Sequence, residues 1–144
     1  MTIRRATADD IPTMVMLGQH FIDSTPYGEQ IPRDPGHIGS VLNTVLVSGA
    51  IFVADSGDGP VGMVAGVVYR HYITGVQTLG ESWWWVEPAH RGGTLAPDLL
   101  QALEDWGRAQ GARVSQIGSR HAILDRYYRR RGYHAVERVH EKEL

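Results

Sequence analysis

Hydrophobic periodicity predicts an α+β protein: a mixed, mostly antiparallel central sheet of about six or seven strands, with helices on both faces. Three observations carry this. Runs of β-branched and aromatic residues alternate with turn signals through the middle of the chain, as in Ala50–Asp55, Ser56–Pro60 and Val61–Tyr72. From residue 81 onward the order changes to strand, helix, strand, helix, strand. Leu95, Leu99, Leu103 and Trp106, widened by Ala96 and Leu100, recur at helical spacing and mark one long amphipathic helix. No linker, repeat or low-complexity tract divides residues 1–144, so a single domain is expected.

In chain order, Thr2–Arg5 is a short first strand. Thr7 or Asp9 caps a helix over Asp10–His20, whose apolar stripe is Ile11, Met14, Val15, Leu17 and, just beyond, Phe21. Prolines and glycines make Ser24–Gly39 mostly loop, followed by a helix over His37–Val47. Ala50–Asp55 and Val61–Tyr72 form a hairpin around Ser56-Gly-Asp-Gly-Pro60. Gly75–Val86 is the next antiparallel strand. Beyond the long helix come a returning strand at Arg113–Gly118, a short helix at His121–Arg131 and a final strand at His134–Lys142.

Composition removes several function classes. The chain has no cysteine, so disulfides, thiolate nucleophiles and cysteine-ligated zinc are absent. The histidines show no pair at metal-ligand spacing, and no metal is expected. A net charge of −2 argues against a dedicated nucleic-acid binder. No apolar run approaches the roughly 20 residues that span a bilayer, and the N-terminus MTIRRATADD lacks the apolar core of a signal peptide. A cytoplasmic protein is the expectation.

The chain is organised around Glu81–Gly111 (ESWWWVEPAHRGGTLAPDLLQALEDWGRAQG). Trp83-Trp84-Trp85-Val86 has strand composition, and Pro88 ends the strand. Gly92 and Gly93 permit a tight turn; Pro97 suits a first helical turn and Gly111 the position past the last. A strand feeding such a turn leaves free N–H groups at the helix start, an anion site for which phosphate is the usual ligand.

The run Val86–Leu100 resembles the acetyl-CoA-binding motif of the GCN5-related N-acetyltransferases (GNAT). The family's Q/R-x-x-G-x-G/A loop falls on Arg91, Gly92, Gly93, Thr94, Leu95 and Ala96, with Thr94 where the family usually has glycine. A Cβ at Thr94 limits the φ available there. Downstream, Leu124-Asp-Arg-Tyr-Tyr-Arg-Arg-Arg-Gly-Tyr133 resembles the family's late FYxxxGF segment, with Tyr128 at the tyrosine position. The opening IRRATADDIP is also similar to family members. The WWWV-P-RGG stretch has the style of acetyltransferases encoded in bacteriophage genomes, which would make a modified nucleobase amine in DNA a conceivable acceptor and the host cytoplasm the location. The acidic net charge counts against that acceptor.

The resemblance implies direct acetyl transfer from acetyl-CoA to a primary amine of a small molecule, peptide or protein. Such transfer needs a neutral amine, a stabilised oxyanion and a proton for the departing thiolate. A thiol titrates near 8.5 and tyrosine near 10, so a positioned tyrosine can donate to sulfur. Tyr128 is the family-matched acid; the alternative is plain packing of Tyr127 and Tyr128. Glu81 is the candidate base, against a solvated strand-end carboxylate, with Glu87 an exposed, weaker rival. Alternation puts Glu81, Trp83 and Trp85 on one strand face and Ser82, Trp84 and Val86 on the other. The family uses backbone groups at the positions of Trp85 and Val86 for the pantetheine arm, and the N–H groups of Arg91–Ala96, with the Arg91 charge, for the pyrophosphate.

His121 stands where many relatives carry a pantetheine-contacting asparagine; capping the next helix is its alternative role. Arg126, Arg129, Arg130 and Arg131 either attract the CoA 3′-phosphate or form a solvated face. The tryptophans either pack in the core or, in part, line a pocket. In the family the loop after the first helix shapes the acceptor site, which makes Tyr27, Glu29 and Asp34 candidates for holding a cationic acceptor. A homodimer through an exposed final strand is compatible with the family. The competing class is an inactive GNAT-fold module that binds CoA or a partner without turnover, with Thr94 as its support.

Overall fold

The computed structural model describes residues 1–30 and 34–144, apart from the side chains of Glu29 and Gln30. Charge pairing fixes the first elements. Arg4, in strand β1 (Thr2–Arg5), donates to both Asp10 carboxylate oxygens at 2.8 and 2.9 Å and to Asp55 at 2.9 Å. Asp10 is buried and also accepts from the Thr7 N–H at 2.8 Å, closing a capping box on a single 3-10 turn, Ala8–Asp10. Helix α1 (Ile11–Asp23) follows, then one helical turn, α2 (Tyr27–Gln30), and α3 (Pro35–Ser48).

Strands β2 (Ala50–Asp55), β3 (Pro60–Arg70) and β4 (Gln77–Val86) continue from β1 as an antiparallel meander. After α4 (Leu95–Ala109), β5 (Val114–Gln116) joins β4 in parallel, and α5 (Ala122–Arg130) comes last. The sheet order is β1-β2-β3-β4-β5. Its two faces bury separate clusters. Met14 and Leu17 of α1 and Ile38, Leu42 and Val45 of α3 pack on Ile51, Val53, Met63 and Ala65; Leu99 and Leu103 of α4 pack on Ala54, Val64, Leu79 and Val86. Close packing of α4 depends on Gly107, where an added Cβ would lie 2.9 Å from Leu79.

The mixed sheet with helices on both faces agrees with the expectation, but it has five strands, not six or seven. The expected final strand at His134–Lys142 is irregular and exposed, with Val136 at 65% and Val139 at 81% exposure. Its partner edge is short: β5 spans only three residues. The expected loop at Ser24–Gly39 contains α2 and the first turns of α3, because Asp34 caps α3 by accepting from the His37 N–H at 2.9 Å and Pro35 takes its first position.

Strand β4 carries the second correction. Ala65 pairs with Trp83 while the next residue of β3, Gly66, pairs with Glu81, so Ser82 is an extra residue, a β-bulge. Its hydroxyl donates to the Ala65 carbonyl at 3.3 Å. The bulge reverses the alternation: Leu79 packs beneath α4, yet Trp83 and Trp85 pack on the α1/α3 side. Glu81 therefore does not continue the face of Trp83 and Trp85.

Candidate active site

The site arises where two parallel strands part. β4 and β5 pair only over Thr78–Gly80 and Val114–Gln116. Past Gly80, β4 runs on for six residues while the other chain turns away into α5. A cavity of about 440 Å³ fills the fork, and Glu81, the first residue beyond the pairing, lines it. Trp84, which packs on the α4 face, and Trp85, which packs on the α1 face, line it too, so the cavity reaches both sides of the sheet.

Glu81 is desolvated by its surroundings, which pushes its pKa up to about 7; the Arg120 guanidinium and the Gly118 N–H draw it back only partly. Tyr128, in the same cavity, is buried and donates its hydroxyl hydrogen to the Gly118 carbonyl at 3.2 Å. Burial first, and then the charge of Glu81, raises its pKa well above the ordinary phenol value. The structure thus brings Glu81 and Tyr128 together, a carboxylate poised to titrate and a phenol that keeps its proton. Tyr127 packs beside Trp84, 5.7 Å between centroids, outside the cavity lining.

A second set of residues forms the α4 end of the cavity. Thr94 is the N-cap of α4 with φ −95°, an ordinary right-handed value, so its Cβ causes no strain where the related motif has glycine. Its side chain makes no cap bond. The Arg91 N–H is taken by the Pro88 carbonyl at 3.3 Å. The N–H groups of Gly92, Gly93, Thr94, Leu95 and Ala96 have no acceptor among the described residues. Gly92 has φ +89°, which favours glycine, and a Cβ at either Gly92 or Gly93 would meet nothing within 4 Å. Five free donors around open space fit a pyrophosphate. Arg91 itself folds back: its Nε donates to the Val86 carbonyl at 2.7 Å and its guanidinium lies 4.3 Å from the Trp85 ring centroid. The Val86 carbonyl, expected to receive the pantetheine arm, is therefore held by Arg91.

His121 starts α5 and lines the cavity, but its side chain makes no capping bond, which disposes of that alternative. The Trp84 indole donates to the Ala96 carbonyl at 3.2 Å, tying the strand to the start of α4. Glu87 is not simply exposed: it accepts from the Trp85 indole at 3.1 Å and pairs with His20 Nδ1 at 2.6 Å. Burial would raise its pKa, but these two hydrogen bonds prevail and hold it below the ordinary range.

On the α1 side the cavity is lined by Phe21, Ser24 and Thr25. Of the expected acceptor residues, Tyr27 stands near by, its ring 5.7 Å from the Arg120 guanidinium. Asp34 is committed to capping α3 and does not line the cavity. The side chain of Glu29 lies outside the described residues. Sequence reasoning passed over Phe21 as a lining residue and Arg120 altogether; the helical stripe hides the first among core residues, and nothing in Gly118-Ser-Arg-His121 sets the second apart from surface arginines. Among the described residues no group of three or more His, Asp or Glu is placed to hold a metal ion. No helix among them is long and apolar enough to cross a membrane.

Comparison with known proteins gives the family of the chain. The profile of the Acetyltransferase (GNAT) family matches residues 19–133. Among solved structures, an acetyltransferase from Trypanosoma brucei superposes with a TM-score of 0.76 at 18% identity, covering 99% of both chains. The aminoglycoside N-acetyltransferase AAC(6')-Iy in complex with CoA superposes at 0.73 and 19% identity, covering 99% of this chain and 98% of that one. A transcriptional regulator from Bacillus halodurans shares the fold at 0.80 and 18% identity, over 99% of each chain. No curated protein matches the sequence. The profile match covers most of the chain, and the protein belongs to the Acetyltransferase (GNAT) family. It is an N-acetyltransferase.

Proposed function

We propose that the protein moves an acetyl group from acetyl-CoA directly to a primary amine held in the fork between β4 and β5, with no covalent enzyme intermediate. The observation that carries this reading is the placement of Glu81 and Tyr128 in one cavity, where burial raises the pKa of both and the Glu81 charge raises that of Tyr128 further. Acetyl-CoA, when bound, supplies the acetyl group and the thiolate leaving group. Glu81, ionised above about pH 7, takes the proton that the attacking amine must lose. Tyr128 holds a proton at every working pH and exchanges the Gly118 carbonyl for the departing sulfur. Its raised pKa makes it a weaker acid than a free phenol but guarantees that the proton is present.

The free N–H groups from Gly92 to Ala96 would seat the pyrophosphate, with Thr94 contributing its N–H and hydroxyl. Because the cavity reaches both faces of the sheet, donor and acceptor can approach from opposite sides. The α4 end takes the donor and the α1 side the amine. The non-catalytic alternative loses its main support with the unstrained Thr94. A nucleobase acceptor, and the phage setting that suggested it, draws no support from the cavity.

Calorimetric titration with acetyl-CoA is the decisive test. The wild type is expected to bind at micromolar concentration. Arg91→Ala, which removes a positive charge beside the loop, is expected to weaken the affinity by about 10-fold. In steady-state assays Tyr128→Phe is expected to lower turnover by about 100-fold while leaving the acetyl-CoA affinity within about 2-fold. Absence of acetyl-CoA binding by the wild type would overturn the reading.

A further inference from the structure

Arg120 is the one charged group of the cavity to which the transfer reaction gives no task. It lies between β5 and α5, on the side facing α1, with its guanidinium 5.1 Å from the ring of Phe21 and 5.7 Å from that of Tyr27. Aromatic faces attract a guanidinium and hold its plane without consuming its hydrogen-bond donors. Its Nε is buried without a hydrogen-bond partner. Among the described residues Arg120 makes no side-chain hydrogen bond and no ion pair. Glu81 feels its charge, but the two do not meet as a salt bridge. A half-buried guanidinium that lines a cavity and has a buried Nε with no partner among the described residues is a group prepared for a partner from outside the chain.

The charge pattern says which partner. Arg91 is engaged at the α4 end by the Val86 carbonyl and the Trp85 ring, on the donor side of the fork. The acceptor side keeps one carboxylate, Glu81, and one free guanidinium, Arg120, beside the apolar Phe21, Ile123 and Leu124; the Ser24 and Thr25 hydroxyls there donate to the Phe21 and Ile22 carbonyls. A polycation would find one carboxylate there and an uncompensated positive charge. A molecule carrying both an amine and a carboxylate matches both groups.

Resting on the acetyltransferase reading, we infer that the acceptor is an apolar α-amino acid: its amine faces Glu81, and Arg120 takes its carboxylate through paired N–H donors. The reaction balances simply. The amine nitrogen forms the amide bond to the acetyl carbon, the thioester C–S bond breaks, Glu81 removes one amine proton and the thiolate leaves protonated as free CoA.

The test compares free leucine, methionine and phenylalanine with their amides, and with the aminoglycoside kanamycin, by thiol release and by quenching of the cavity tryptophans. The wild type is expected to favour each free acid over its amide by about 10-fold or more in kcat/KM. In Arg120→Gln the advantage of acid over amide disappears through KM, acetyl-CoA binds as in the wild type, and acid and amide share only the upward shift of the pH limb that follows when Glu81 loses the positive charge near it. Arg120→Lys, which keeps the charge without the fork, is expected to fall between the two. If Arg120→Gln fails to fold, the lysine variant and the wild-type acid-to-amide ratio decide the matter. Preference for the amides or for kanamycin, or an equal effect of the substitution on the KM of acid and amide, overturns the inference. So does intact acetyl-CoA binding with no amino acid bound or acetylated. Loss of acetyl-CoA binding in the wild type would instead bring down the acetyltransferase reading on which it rests.

Discussion

Glu81 illustrates how one residue trades stability for reactivity. Its carboxyl ordinarily titrates at 4.5, and desolvation in the fork lifts it to about 7. A raised pKa means that the folded state prefers the protonated form. The favourable contribution is complete below pH 4.5, declines between 4.5 and 7, and is gone once the pH has passed the folded value. The ionised form that the proposed role as base requires is therefore the one the fold resists. Glu81→Gln is expected to raise the melting temperature at pH 8 by about 2–5 °C and to leave it nearly unchanged at pH 4.5. The same substitution should remove the limb of the kcat/KM profile near pH 7 and cut turnover by about 100-fold or more. Thermal melts at the two pH values and a pH–rate profile check both. None of this is readable from the residue's neighbours in sequence: Glu81 stands out as a strand-start carboxylate, but its burial in the fork, and the Arg120 charge and Gly118 N–H that partly offset it, exist only once the fold brings the segment 118–128 near.

Among the elements, α5 matters most, since it carries Leu124 and Tyr128 into the cavity and makes few contacts with the sheet. A polar clamp just beyond its end holds it. The Tyr133 hydroxyl donates to Glu104 of α4 at 2.7 Å and bonds Ser115 of β5 at 2.9 Å, while Arg131 reaches Glu104 at 3.4 Å. Burial, together with the nearby Glu104 carboxylate, lifts the Tyr133 pKa to about 12, so the hydroxyl remains a donor. Tyr133→Phe leaves the ring but deletes both bonds, with an expected loss of about 1–2 kcal/mol in urea unfolding. Turnover should fall with it, because Tyr128 loses its fixed position, whereas acetyl-CoA affinity should stay within about 2-fold. Elements with strong periodicity were legible in advance, α1 and α4 above all. What periodicity cannot report is whether an alternating segment finds a partner edge, which is why His134–Lys142 reads as a strand and is none. Short caps are equally hard to see, and Asp34 looks like a cation ligand until its bond to the His37 N–H is known.

For the molecule as a whole, family and chemistry were legible because they reside in local patterns: the glycine turn before α4 and the tyrosine segment of α5. The cavity was not, because it depends on two strands ending their partnership at one place and on a single unpaired residue in β4. That residue is Ser82, exposed and chemically plain. Its identity hardly matters, and Ser82→Ala should leave melting temperature and activity near those of the wild type. Its presence is another matter. Without it, no register places Leu79 beneath α4 and Trp83 beneath α1 together, because a shift of one residue exchanges the faces of a strand. Deleting Ser82 is expected to abolish turnover or folding, as read by circular dichroism and assay. The site is thus spelled partly in the number of residues along β4. A survey of variants by substitution alone would score this position as dispensable; one that also counts insertions and deletions would rank it with Glu81 and Tyr128, the proposed catalytic pair.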